Sequence, residues 1–551
     1  MKKYNVVWCI IDSVRKYHSD DDRTRLNFMD EFALESVEFH NVVTSAPSTV
    51  MSISAMMTSL PSYYLGRNYS DFRFDNSYFS TFSSILNQNG WTTRALIMHK
   101  DIREKLRVFD LIPKKYWPKG FSHKNWWDNS KINALLKNAL RIDGAKKPMP
   151  CFWFLDFNCR KDPETSNIVK DSFAALKDAG YTKDNTIFIL CSDHGYPDPS
   201  RGFTPEGLEK QRMTHDIFMT DDNITVPLFI SYPGCTEGQK VNATISTLDL
   251  MPTLLDILEV DVPEETKQRW HGKSLKNLLS GQKMDGIEGR KIRTDARFFG
   301  QTDRVSAIRD DEFKYVYFHD DGSEEFVDVS EFTIDEPNIS KSSDPYVQSK
   351  LSEFRAAFQE SEEKGVQFQI DYAVHRLRDQ LENNRVQSNE NRKILVVSTT
   401  NKSFSHSLGV ALRGISNNAE IELVSTAPAQ EPDSAFDHVF SPNFAEGAAR
   451  ALQSLPHVEL KKYDLVLQTY DSSATEKFEE VTKFGTLVQA DERVTIDLNM
   501  AISVRHGQAQ RYLRTMYENR HFFIEEPFLV FGEAKKVLVT LARQMFGKID
   551  A

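Results

Sequence analysis

Four short segments carry side chains able to act on an anion. The first is Asp12, which ends the apolar run Asn5–Ile11. In an open α/β sheet the ligand crevice lies outside the carboxyl ends of the strands. A carboxylate there is placed to ligate a metal or to catalyse; the alternative is a helix N-cap in a βα turn. The second is Asp193-His194-Gly195, which ends TIFILCSDHG. An acid and an imidazole side by side at a strand end can share one cation. Such a pair suits Zn, Mn or Fe, or Ca and Mg where more oxygens join. A surface turn would give the same three letters. The third is SAPSTVMSISAMMTS, residues 45–59, where small hydroxyl residues lead into a helical pattern. Ser48 or Thr49 either caps that helix or presents a hydroxyl at its N-terminus, where free N–H groups favour an anion. A metal held by Asp12, Asp193 and His194 would lower the Thr49 hydroxyl pKa and orient it for in-line attack. The fourth is His215, in THDIFMTDDNITVPLFISYPG, which alone would read as a surface histidine.

In this order the segments resemble the sulfatase family and its phosphatase and phosphotransferase relatives, over residues 1–340. NVVWCIIDSVR is similar to the opening strand and first metal aspartate. VEFHNVVTSAPSTVMSISAMMTSLPS resembles the nucleophile helix, NTIFILCSDHG the metal-binding segment, and HDIFMTDDNITVPLFISYPG the later segment whose His or Lys contacts the transferred group. TISTLDLMPTLLDILEV, HGKSLKNLLSG and EEFVDVSEFTIDEPN resemble the stretches that follow. The resemblance implies Asp12, Asp193, His194 and Thr49 as metal ligands, with Thr49 and His215 catalytic. Ser48, His99 and Lys100 are implied as substrate contacts.

The sequence also departs from that family. Sulfatases carry Cys or Ser in C/S-x-P-x-R, which is oxidised to formylglycine. Here Thr49 stands at the Cys, Met51 at the Pro and Ile53 at the Arg. Threonine resembles the phospho-acting relatives, so the leading expectation is a metal-dependent hydrolase or transferase of phosphate mono- or diesters. The alternatives are sulfate-ester hydrolysis without formylglycine, and a degenerate site serving as a binding or scaffold module. Sulfatases open with two aspartates; the second is Ser13 here. One divalent ion is expected (Mn, Zn, Mg or Ca), and the lost carboxylate points to one softer or smaller than Ca. FLDFNCRKDP supplies no Asp-x-x-x-His for a second metal. The substrate class is a small anionic ester, with a glycan or glycan precursor suggested by family habit.

The elements that must position these residues alternate. Strand-like runs are Asn5–Ile11, Thr93–Met98, Phe152–Leu155, Thr186–Leu190 and Val226–Ser231; helical ones are Ile53–Thr58, Ser166–Ala179 and Leu248–Leu258. This predicts an α/β fold with a mostly parallel central sheet, which the resemblance makes an alkaline-phosphatase-like sandwich. Short β runs and Asp-Gly turns over 293–340 predict a small antiparallel subdomain. The charge-rich Pro345–Leu381 reads as helix, closing a catalytic domain over 1–380. The polar stretch 381–392 reads as a linker. A Rossmann-like α/β domain follows over 393–551, with strands at 393–400, Ile421–Ser425, His438–Phe440, Leu465–Gln468 and Leu529–Phe531. Its helices are expected at Ser405–Ile415, Asn443–Leu455 and Glu533–Phe546. It carries no Gly-rich phosphate loop.

Composition bounds the rest. The 551 residues carry 68 basic and 79 acidic side chains, a net charge of -11. That excludes a general nucleic-acid binder, which needs basic surface. No run approaches the 20 or so apolar residues of a membrane span. MKKYNVVWCIIDS reads as a buried strand, since Asp12 cuts off the apolar run and no small-residue cleavage site follows. The cysteine count of five is odd, which reads as buried free thiols in a reducing compartment. A cytoplasmic protein with no membrane span, able to form a homo-oligomer, is the resulting expectation.

Overall fold

The computed structural model describes residues 2–505 except 17–25, 66–77, 100–101, 104–110, 145–147, 159–163, 199–200, 202–214, 298–303, 320, 384–391, 399–401, 416–417, 426–433, 445–447, 471–483, 486 and 498–501. The strand and helix expected at Leu529–Phe531 and Glu533–Phe546 lie outside the described residues.

Strand β1 (Asn5–Asp12) is buried along its whole length. Both of its faces are apolar, as a strand covered on both sides requires. Each large side chain fully buried there contributes about 1.5–3 kcal/mol. β1 pairs in parallel with β4 (Cys151–Asn158) and β5 (Thr186–Cys191) on its two sides. The other strands are β2 (Val37–Val43), β3 (Thr92–Leu96), β6 (Leu228–Ser231) and β7 (Lys240–Ser246). Together they make a seven-stranded sheet of order β3-β4-β1-β5-β6-β2-β7. Only β6 runs antiparallel to its neighbours, β5 and β2.

Helices α1 (Asn27–Ala33), α5 (Asn129–Asp143) and α6 (Thr165–Asp178) belong to the layer on one face. Val7, Cys9 and Ile11 share its core with Trp153, Leu136 and Val169. On the other face Trp8 meets Phe154 and Phe82, the first residue of α4 (Phe82–Gln88). Helix α2 (Thr49–Thr58) is buried at all ten positions, followed by the short α3 (Ser62–Leu65). This is the expected sandwich.

The smaller antiparallel sheet is β8 (Ile292–Arg297), β9 (Arg304–Arg309), β10 (Phe313–Phe318) and β11 (Glu324–Asp328), in order β11-β10-β9-β8. Ile308, Phe313, Tyr315 and Phe326 pack on Leu351, Phe354 and Phe358 of the helix Pro345–Asn383.

The chain divides into two compact units: residues 1–298 with 303–372, and residues 299–302 with 373–551. The second has its own sheet: β12 (Lys393–Ser398), β13 (Glu420–Ser425), β14 (His438–Phe440), β15 (Tyr463–Tyr470), β16 (Ala490–Asp497) and β17 (Ile502–Arg505). Its order is β14-β13-β12-β15-β16-β17, parallel except for β17.

Several elements differ from the sequence reading. β4 does not stop at Leu155 but runs to Asn158 with Asp156 wholly buried inside it. Helix α2 begins at Thr49 rather than Ile53. The helical pattern over Asn443–Leu455 is helix only over Ala448–Gln453 among the described residues. β16 and β17 were not expected.

Candidate active site

The carboxyl ends of β1 and β5 lie side by side because the strands pair in parallel, Ile10 opposite Cys191. What leaves each end is therefore brought together: Asp12 from β1, Asp193 and His194 from β5. His194 Nε2 is 3.6 Å from Asp12 Oδ1 and 3.4 Å from Asp193 Oδ2. One ligand atom from each of the three lies within 4.8 Å of the others. Thr49 Oγ1 completes the group, 3.1 Å from His194 Nε2.

Local contacts hold each member. His194 Nδ1 is 2.7 Å from the Gly195 carbonyl. A carbonyl only accepts, so Nδ1 carries the proton and Nε2 faces Thr49 and the carboxylates. Gly195 itself has no room for a side chain: a Cβ would lie 2.0 Å from the Asp222 carbonyl oxygen. The Asp193 carbonyl accepts from Ser52 Oγ at 2.6 Å and Thr44 Oγ1 at 2.7 Å. Those bonds tie the exit of β5 to α2 and to the end of β2. Ser48 is the N-cap residue of α2 and makes no side-chain cap bond; its carbonyl accepts the first helical bond, from Ser52 N. Thr49 thus sits at the first helical position, where backbone N–H groups have no partner within the helix.

Electrostatics favour a cation here. Asp193 is fully buried and its Oδ2 has no hydrogen-bond partner. Burial pushes its carboxyl up, and Asp12 adds to the rise against the pull of His194. Burial acts to lower His194, but Asp193 and Asp12 outweigh it and raise the imidazole. Two buried carboxylates, an imidazole with a fixed tautomer and an orphaned oxygen form a donor set that suits a divalent ion.

Three further residues surround this group; the sequence reading took Ser13 only as a lost ligand and gave Asn158 and Asp156 no role. Ser13 adopts a left-handed backbone (φ 65°) and donates from Oγ to Asp12 Oδ1 at 2.7 Å. Asn158, opposite Asp12 in β4, has Nδ2 3.5 Å from Asp12 Oδ2. Asp156 accepts from Met98 N at 3.1 Å and His99 N at 3.4 Å. Burial pushes its carboxyl well up, helped by Asp12 and Asp193. Its place inside an apolar run was the available signal.

The remaining expected residues are placed less fully. His99 follows β3, with its ring edge-on to Trp127 at 5.4 Å and a buried Nδ1 that has no partner. Lys100 lies outside the described residues. His215 opens a short 3-10 turn, His215–Ile217, and its side chain lies outside the description.

With the geometry in hand, comparison with known proteins gives a consistent class. Residues 211–362 match the family described as N-sulphoglucosamine sulphohydrolase, C-terminal. Arylsulfatase K of Gallus gallus is 29% identical over 162 residues, covering 28% of this chain and 28% of its own. Delta 4,5-hexuronate-2-O-sulfatase of Bacteroides thetaiotaomicron is 28% identical over 177 residues, covering 31% and 34%. The chain thus spans about a third or less of the length of these relatives. The phosphonate monoester hydrolase of Silicibacter pomeroyi shares the fold, with TM-score 0.51 and 14% identity over 66% of this chain and 96% of that one. Over the matched segments the chain is similar to members of the sulfatase and alkaline-phosphatase superfamily.

These relatives overturn the expectation of a cytoplasmic protein, since arylsulfatase K and its kin are lysosomal or secreted sulfatases. Free thiols do not fix the compartment. Cys9, Cys151 and Cys191 are buried and free, and burial shields a thiol from oxidant in any compartment. Among the described residues no helix is long and apolar enough to cross a membrane.

Proposed function

We propose that the chain is a divalent-cation-dependent ester hydrolase, with sulfate esters of anionic saccharides as its first substrate class. The observation that carries this is the convergence of Asp12, Asp193, His194 and Thr49 at the carboxyl ends of β1 and β5. The sulfatase names of the sequence relatives support sulfate over phosphate.

Asp12, Asp193 and His194, with Thr49 Oγ1, would hold the ion. A bound divalent cation supplies Lewis-acid stabilisation of charge on the transferred group. The N-terminus of α2 orients the anion through free backbone N–H groups. Thr49 Oγ1 attacks the sulfur, its O–H proton passes to solvent water, and the ester S–O bond breaks. The leaving alcohol takes up a proton, a role assigned to His215. Water then cleaves the Thr49 ester, releasing sulfate.

A second reading is favoured by Thr49 itself. Oxidising a threonine side chain gives a ketone, so formylglycine cannot form there. A simple phospho-threonine intermediate on a phosphate or phosphonate ester needs no such conversion. Release of inorganic sulfate and phosphate from matched sulfate, phosphate and phosphonate esters tests both. Sulfate release from sulfated saccharides, lost by 100-fold or more in Thr49→Ala on the scale of a lost nucleophile, is the expected result. Phosphate or phosphonate release alone establishes the second reading. Full activity of Thr49→Ala on every ester contradicts both.

A further inference from the structure

Two adjacent tryptophans in the turn His123–Trp127 have opposite surroundings. Trp126 is buried against Trp117 and Phe121, with ring centroids at 6.1 and 5.4 Å. Trp127 is 43% exposed. A single exposed apolar side chain is ordinary on a protein surface, so the place of this one decides its meaning. Two residues on, Asn129 clamps the end of β4: its Nδ2 donates to the Asn158 carbonyl at 2.7 Å, and its Oδ1 accepts from Asn158 N at 3.0 Å. Asn158 stands opposite Asp12. The Trp127 ring lies edge-on to His99, centroids 5.4 Å apart, and His99 N donates to Asp156 of β4 at 3.4 Å. Trp127 is therefore held at the carboxyl ends of β3 and β4, the same end of the sheet as Asp12 and His194.

In the order β3-β4-β1-β5, the exit of β3 lies three strands from the exit of β5, where Thr49 meets His194. Strands are about 4.8 Å apart, so these two exits are roughly 14 Å apart. One sugar ring with its ester at Thr49 does not span that distance; a further ring of the same saccharide chain does. An exposed indole suits such a ring. The sugar's C–H groups, polarised by neighbouring oxygens, meet the negative face of the indole, and apolar surface leaves water on both sides. The hydroxyls project from the rim of the sugar and keep their hydrogen bonds.

We infer that Trp127 forms a second saccharide subsite at the ends of β3 and β4, which holds a sugar ring beyond the one that carries the ester. The substrate is then an oligosaccharide rather than a lone sugar, and Trp127 sets that preference. The Asn129–Asn158 clamp fixes the turn that presents the indole. This rests on the saccharide-ester reading above.

The test is steady-state sulfate release by the full chain from two pairs of probes. These are a 2-O-sulfated uronate and a 6-O-sulfated glucosamine, each as a free sugar and as the end residue of a tetrasaccharide. The readout is kcat/KM for the tetrasaccharide divided by kcat/KM for the free sugar. Wild type is expected to favour the tetrasaccharide. Trp127→Ala is expected to lower the ratio about 3- to 10-fold, the scale of one aromatic contact. The loss should fall on KM rather than kcat, because a ring away from the reacting bond is held equally in ground and transition states. Trp127→Phe keeps a smaller aromatic face and is expected to retain most of the ratio. An unmoved ratio in Trp127→Ala, or a loss carried by kcat on both members of a pair, overturns the inference while the ester-hydrolase reading stands. No sulfate released from any probe by wild type overturns the saccharide-ester reading and this inference with it.

Discussion

Asp156 shows how tightly charge is balanced at the residue scale. It is a third buried carboxyl close to Asp12 and Asp193, and burial with those two neighbours pushes its value well up. An acid whose folded value lies above its unfolded one loses stability as pH rises from about 4 towards the folded value. Near neutral pH the buried acid therefore opposes folding, as a charge or as a proton taken up to avoid one. Asp156→Asn removes that cost and keeps an acceptor for Met98 N. It is expected to gain about 1 kcal/mol at pH 7 in the metal-free protein. Asp156→Ala is expected to lose stability, since the Met98 and His99 N–H groups would be left unpaired. Urea unfolding of the three proteins checks the sign. A less stable Asp156→Asn would mean the charge is already compensated.

At the scale of elements, buried ion pairs join the antiparallel sheet to the turn before β6. Asp221, in the short helix Asp221–Ile224, pairs with Arg309 of β9 at 2.9 Å and Lys314 of β10 at 3.1 Å. Lys314 also pairs with Glu336, which Arg201 holds at 2.6 Å while bonding Asp222 at 2.8 Å. Asp222 in turn presents the carbonyl on which Gly195 rests. The network thus supports the segment beside His194. Burial would raise Asp221, but Lys314 and Arg309 overcome it and hold the acid at about 2. A depressed acid contributes stability that is complete above its unfolded value near 4 and is lost as pH falls through 2. Roughly 2 kcal/mol belongs to that window. Lys314→Met is expected to cost about 3 kcal/mol or more at pH 7, because it breaks a buried pair from one side. Its deficit should shrink below pH 3. A constant deficit down to pH 2 would contradict the assignment.

For the whole molecule, the legible parts of the fold were those written locally. β1 and β5 are apolar runs that end in Asp12 and in Asp193-His194, so strand and site residue could be read from one stretch. The antiparallel sheet followed from its short β runs and the Asp321-Gly322 turn. Asp156 misled the reading, because a charge in an apolar run looks like a strand end. Its backbone donors, Met98 and His99, come from a different strand's exit. Ser13 was read as a lost ligand, since nothing in the sequence shows a left-handed turn that lets it hold two acids. The partner that Arg309 and Lys314 share, Asp221, lies about ninety residues earlier, beyond any local pattern.

The proposed chemistry requires one cation held by Asp12, Asp193 and His194 in the first unit. Elemental analysis of the protein as purified, wild type beside Asp193→Ala, measures this most directly. The prediction is about one divalent ion per chain in wild type and none in Asp193→Ala, with both proteins folded by circular dichroism. Equal metal in the two proteins, or none in wild type even after loading with Zn2+, Mn2+ and Ca2+, would contradict it.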